Sequence, residues 1–201
     1  MALGGVNGAQ STITIGPAAT ARQMVIMRLG TVNDLSITSK TPVRSITATT
    51  WLDTNETPDS ITAPWLGMLT TRGDKKTSVA GNFSANLTLT DSNVRQTLGK
   101  VQVSGTLADV LWDIQGNVGQ LAIGHWGTGS TVMVGVVVGA GQNPFDPGVG
   151  PSGAGGSLGK ISIGNYDTNN SGNAFGIVAT NLSKMKIALP FVDGDFRIVQ
   201  V

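Results

Sequence analysis

Apolar and polar residues alternate in short bursts along this chain. Ile13 and Ile15 flank Thr14, Leu35 and Ile37 flank Ser36, and Leu87 and Leu89 flank Thr88. The same spacing recurs at Val101/Val103, Trp112/Ile114, Leu121/Ile123 and Ile161/Ile163. A period of two places alternate side chains on opposite faces of a strand, so each triplet predicts a short strand with one buried face. Gly16, Gly105, Gly116, Gly124 and Gly164 follow closely and predict turns. No window of a dozen residues carries an i, i+3, i+4, i+7 pattern, so helix is not expected.

The spacing of the triplets is more specific than their existence. Val101, Trp112 and Leu121 lie 11 and 9 residues apart, so an equivalent position returns after 20. Three short strands and a return fit one coil of a parallel β-helix, which buries its inward residues by stacking on its neighbours. A loose motif, Leu-Gly-x-φ-x-φ with φ apolar, marks the coils as LGKVQV at 98–103 and LGKISI at 158–163. Variants are LGTVND at 29–34, LGMLTT at 66–71, VGQLAI at 118–123 and LSKMKI at 182–187. The starts are 37, 32, 20, 40 and 24 residues apart, which predicts loops of unequal length on one side of the stack. The fold class read from this is all-β, a parallel β-helix forming one domain over residues 1–201. A β-sandwich or jelly roll is the alternative, since it also supplies many short strands and turns, but it does not predict the returning Leu-Gly.

Residues 139–156, GAGQNPFDPGVGPSGAGG, break the pattern and predict a mobile Gly/Pro-rich surface excursion. The start, MALGGVNGAQ, has neither a basic segment nor an apolar run and does not read as a secretory signal. The longest apolar run, Val132–Gly141, is far below the roughly 20 residues of a spanning helix. Thirteen Lys and Arg against twelve Asp and Glu give a net charge of +1. That balance argues against nucleic acid, whose phosphates need clustered cations. With no cysteine there is no disulfide and no thiolate nucleophile or metal ligand.

Candidate chemistry is sparse. DTNETPD gathers Asp53, Glu56 and Asp59 in one loop, and a glycosidase needs two carboxylates about 5–9.5 Å apart. TTRGDKK contributes Arg72 and Lys75, with Lys76, as cations for proton abstraction in a lyase, and includes an Arg-Gly-Asp turn. DTNNSG places Asp167, Asn169 and Ser171 at alternate positions, the first half of a calcium loop, but Val178 stands where the completing Glu belongs. Asp193 and Asp195 are a weaker acidic pair. His125 is the single histidine and has no G-x-S-x-G to serve. Trp51, Trp65 and Trp126 are sugar-stacking candidates if exposed, whereas Trp112 alternates with Ile114 and is expected in the core. Thr12/Thr14, Thr47/Thr49 and Thr88/Thr90 suggest stacked threonines of the kind that order ice, but at irregular spacing. No cofactor is implied beyond calcium.

Residues Ser60–Ala122 resemble repeat segments of very large bacterial surface or exported proteins. The likeness is carried by AGNFSA at Ala80–Ala85 and by W-x-I-x-G-x-V-G at Trp112–Gly119. The resemblance implies a right-handed parallel β-helix at the cell surface or outside the cell. It further implies a structural or adhesive role. The unpaired strand edges at the ends of such a rod favour end-to-end self-association, and polysaccharide is the other partner expected. A carbohydrate-active enzyme, a lyase or glycoside hydrolase using Asp53, Glu56, Asp59, Arg72 and Lys75, is the competing expectation.

Overall fold

A computed structural model describes residues 3–4, 10–153, 155–187 and 194–201. The described chain is all-β, without helix. Two long sheets take most of it. The first contains Ser11–Ile15, Leu35–Ser39, Ser60–Ala63, Asn86–Leu89, Leu111–Ile114, Thr131–Val134, Phe175–Ala179 and Phe196–Gln200, side by side in chain order. The second contains Val25–Arg28, Val43–Ala48, Leu66–Thr71, Leu98–Leu107, Val118–Trp126, Ser157–Tyr166 and Asn181–Ile187, again in chain order. The chain visits the two sheets alternately, and every pairing within them is parallel. The antiparallel ladders of a sandwich or jelly roll are not seen in them. Among the described residues, antiparallel pairing is confined to Val136–Val137 against Gly150–Pro151 and to the isolated bridge between Asp74 and Val79.

The alternation read from the sequence becomes unbroken ranks. In the first sheet Ile13, Ile37, Ile61, Leu87, Trp112, Val132, Ile177 and Ile198 stand in register. In the second, Met27, Ile46, Leu69, Val101, Leu121, Ile161 and Met185 do the same. Val101 therefore pairs with Leu121, the 20-residue return expected from spacing. A third rank continues from the pair Val32 and Trp51 through Phe83, Leu107, Trp126 and Tyr166. One apolar cluster joins all three, from Met27 to Phe196.

Aromatic side chains fill the widest part of this interior. Trp51, Phe83 and Trp112 follow one another at ring-centroid separations of 5.6 and 5.8 Å, and Phe196 contacts Trp126, Tyr166 and Phe175 at 5.8, 4.6 and 5.5 Å. Tilted, edge-on and offset rings at these distances are the favourable geometries for aromatic pairs. Each buried indole N–H is satisfied: Trp112 donates to the Ala85 carbonyl, Trp126 to that of Ser130, and Trp51 to the Asp59 carboxylate. Leaving such a donor unpaired would cost about 1–3 kcal/mol.

The recurring Leu-Gly has a steric cause. Gly67, Gly99, Gly119 and Gly159 occupy equivalent places in successive circuits. A Cβ on Gly67 would stand 2.6 Å from the Arg44 carbonyl oxygen, and one on Gly159 2.7 Å from that of Gly119. Gly99 and Gly119 are tighter still against the carbonyl oxygens of Gly67 and Gly99. Backbone cannot yield as a flexible side chain can, so the close approach excludes a side chain.

Three details of the sequence reading are corrected. LGTVND does not mark a second-sheet strand, because Thr31–Asn33 joins Leu3–Gly4 and Thr50–Leu52 in a short third sheet. Val25–Arg28 and Val43–Ala48, which lack the Leu-Gly, are the second-sheet strands that the motif missed. The inserted loops also leave from different corners. Residues 72–82 follow a second-sheet strand, residues 90–97 follow a first-sheet strand, and residues 138–149 follow Val136–Val137 of the two-stranded antiparallel pair. The Gly/Pro-rich excursion packs by Phe145 and Val149 on Met133, Val178 and Val199, outside the main core.

Candidate functional site

The structure brings together two of the five residues read as catalytic and adds a third that sequence reasoning missed. Asp53 and Asp59 meet Asp34, with one carboxylate oxygen from each within 4.8 Å of the others. Asp34 closes the strand Thr31–Asn33 in a left-handed turn at φ 53°, which aspartate tolerates better than most residues. Asp53 follows Thr50–Leu52 one circuit later, and Asp59 precedes Ser60–Ala63. The cluster therefore sits at the corner between the short third sheet and the first sheet.

Most of its oxygens are engaged. Asp34 accepts from the Thr54 amide at 2.6 Å and the Thr54 hydroxyl at 2.7 Å. These bonds hold its carboxyl below the ordinary aspartate range, against its burial. Asp59 is fully buried and accepts from Gln10 Nε2 at 2.7 Å and Trp51 Nε1 at 2.8 Å. Burial pushes its carboxyl up, more than those donors and the Leu35 amide pull it down, and the neighbouring Asp53 charge adds to the rise. Asp53 accepts from the Asp59 amide through Oδ2, while its Oδ1 is buried and has no hydrogen-bond partner.

A calcium ion takes six to eight oxygens at about 2.3–2.6 Å. A cation held by Asp34, Asp53 and Asp59 would compete with Thr54, Gln10, Trp51 and the Asp59 amide for every carboxylate oxygen except Asp53 Oδ1. The geometry is that of a hydrogen-bonded knot: Asp34 ties Thr54 one circuit on, and Asp59 ties Gln10 and the Trp51 indole.

The remaining candidates stand elsewhere. Glu56 is exposed in the loop and does not join the three aspartates. Arg72 and Lys75 lie at the opposite end of the short third sheet, lining a depression of about 380 Å³ with Asp74, Ser78 and Gly81. There Asp74 closes a hairpin, accepting from the Lys76 amide and the Thr77 hydroxyl at 2.9 Å each, which lowers its carboxyl. Asp167 contacts His125 Nε2 at 3.1 Å and accepts from the Thr128 amide at 3.0 Å. Asn169 accepts from the Ser171 amide, and Asp195 accepts from the amides of Asn170 and Gly172. The Asp167 carboxylate and the Asn169 carbonyl oxygen are thus spent on different partners. Asp193 lies outside the described residues.

Trp51, Trp112 and Trp126 are fully buried and cannot act as platforms; Trp65 is partly exposed beside Gly67. The threonine rank exists, but of those expected it holds only Thr14 and Thr88. Thr14, Thr38, Thr62 and Thr88 align on the outer face of the first sheet, in a row continued by Asp113, Met133 and Val178. Among the described residues no helix is long and apolar enough to cross a membrane.

Comparison with protein-family models, with curated proteins and with solved structures finds no match.

Proposed function

We propose that the chain is a non-enzymatic structural or adhesive module of a surface or exported protein, built as a right-handed parallel β-helix. The observation that carries this reading is the parallel, circuit-by-circuit register of both long sheets, with one continuous core inside. Such a stack gains its stability from neighbour-on-neighbour burial and presents long flat faces and corner loops to the outside. Met185 adds support for end-to-end association. It stands in register with buried Ile161, yet it is 55% exposed on the edge strand.

A carbohydrate-active enzyme is the second reading, favoured by the approach of Asp34, Asp53 and Asp59 and by the raised pKa of Asp59. Full burial of Asp59 and the distribution of the candidate cations at another corner count against it. Incubation with acidic and neutral polysaccharides, with and without a chelator, separates the two. Binding without chain cleavage is expected. New reducing or unsaturated ends that disappear in Asp53→Asn and Asp59→Asn would establish the enzyme instead.

A further inference from the structure

The charges of this chain are nearly balanced in number but not in place. The seven strands of the second sheet contain Arg28, Arg44, Lys100, Lys160, Lys184 and Lys186, and not one Asp or Glu. All six cations are exposed. None makes an ion pair within 4.0 Å among the described residues. The near-neutral total, read above as an argument against clustered cations, conceals a cationic face.

Register turns that face into a pattern. Met68, Lys100, Gln120, Lys160 and Lys184 form one outward row, and Gln102, Ala122, Ser162 and Lys186 the next, which runs on through buried Thr70 to Thr47. Neighbouring strands are about 4.8 Å apart, so Lys160 and Lys184 stand directly opposite each other, with Lys186 one outward position along. Like charges so placed destabilise a sheet unless an anion lies between them. Beside the Lys100–Lys160–Lys184 row the surface is a shallow depression lined by Gln102, Ser104, Ala122, Gly124, Ser162 and Gly164. The Gln102 amide and the Ser104 and Ser162 hydroxyls there offer hydrogen bonds along the strand stack.

We infer that the outer face of the second sheet binds an extended, linear acidic polysaccharide. This rests on the adhesive reading above and names its ligand. A polycarboxylate chain lying along the stack would meet Lys100, Lys160 and Lys184 in turn. A flat parallel sheet does not enter a duplex groove. Single-stranded nucleic acid needs successive aromatic platforms; among the described residues only Trp65 is partly exposed at the margin of this face.

The test measures binding of the full chain to polygalacturonate, with dextran, single-stranded DNA and phosphatidylserine vesicles alongside. Polygalacturonate should bind best and weaken as salt is raised. Changing Lys160, Lys184 and Lys186 together to Gln should lower affinity roughly tenfold or more, while Lys75→Gln with Lys76→Gln leaves it within about twofold. Gln120→Lys, which fills the gap in the row, should raise affinity even if the triple variant folds poorly. Equal loss from the control pair, no gain from Gln120→Lys, or tighter binding to DNA or vesicles overturns the inference. Equal binding to dextran overturns it and leaves the adhesive reading standing, whereas failure to bind any of the polysaccharides removes the support for both.

Discussion

Glycine does opposite work in the circuit Leu98–Trp126 and in the excursion that leaves at Val136. In the circuit, Gly99 and Gly119 lie so close to the carbonyl oxygens of the circuit before that no side chain fits. In the excursion, Gly141, Gly150 and Gly153 face open space. The first kind of glycine sets how closely two backbones approach; the second only lets the chain turn. The excursion is held instead by Phe145 and Val149 on the outside of the first sheet. Glycine content therefore says little by itself; the steric kind are Gly67, Gly99, Gly119 and Gly159, each next to an inward Leu or Val in a second-sheet strand.

Substitutions sharpen the contrast. Gly99→Ala forces a methyl into the Gly67 backbone and should cost about 1–3 kcal/mol in urea unfolding, the range for overpacking. A variant as stable as the parent would show that the circuits can move apart.

Asp59→Asn probes a second tight element, the carboxylate knot. Because burial raises the Asp59 carboxyl in the fold, the folded chain holds this proton more firmly than the unfolded chain. Its contribution to stability is therefore full below the ordinary aspartate range and is lost as pH rises through that range to the folded value. Asp34, with its carboxyl lowered, contributes the opposite slope and loses stability as pH falls. Whatever constant cost the amide carries, unfolding at pH 3 and pH 6 should find Asp59→Asn gaining on the parent as pH rises. A difference that shrinks in the other direction would contradict the burial argument. Gly153→Ala, in the excursion, is the smallest change and should stay within about 0.5 kcal/mol.

Much of this architecture is legible before any coordinates. All seven apolar triplets lie in strands, and six of them are buried at both apolar positions; Ile13 and Ile15 are partly buried against the same core. Strand alternation is a local property, and a short circuit such as Val101 to Leu121 brings its partner close in sequence. The Val43 circuit escaped because Arg44 replaces the glycine: its backbone bulges against Val25–Arg28, where register slips between Val25 and Ile26. Asp34 escaped because its companions are Asp53 and Asp59, one circuit later, and no local pattern announces that meeting. The cationic face was in plain view as Leu-Gly-Lys at 98–100 and 158–160 and Leu-Ser-Lys at 182–184. Net charge, an average over all faces, hid it.

The parallel, in-register stacking of successive circuits is what everything else depends on, and the absence of native cysteine allows a direct test. Gln102 and Ala122 are register partners on adjacent strands, and Ser162 lies one strand further on. Strands about 4.8 Å apart put the first pair within disulfide reach and the outer pair beyond it. Under mild oxidation, Gln102→Cys with Ala122→Cys should close an intramolecular bond, while Gln102→Cys with Ser162→Cys stays reduced. The reverse result would mean that the chain does not stack circuit upon circuit.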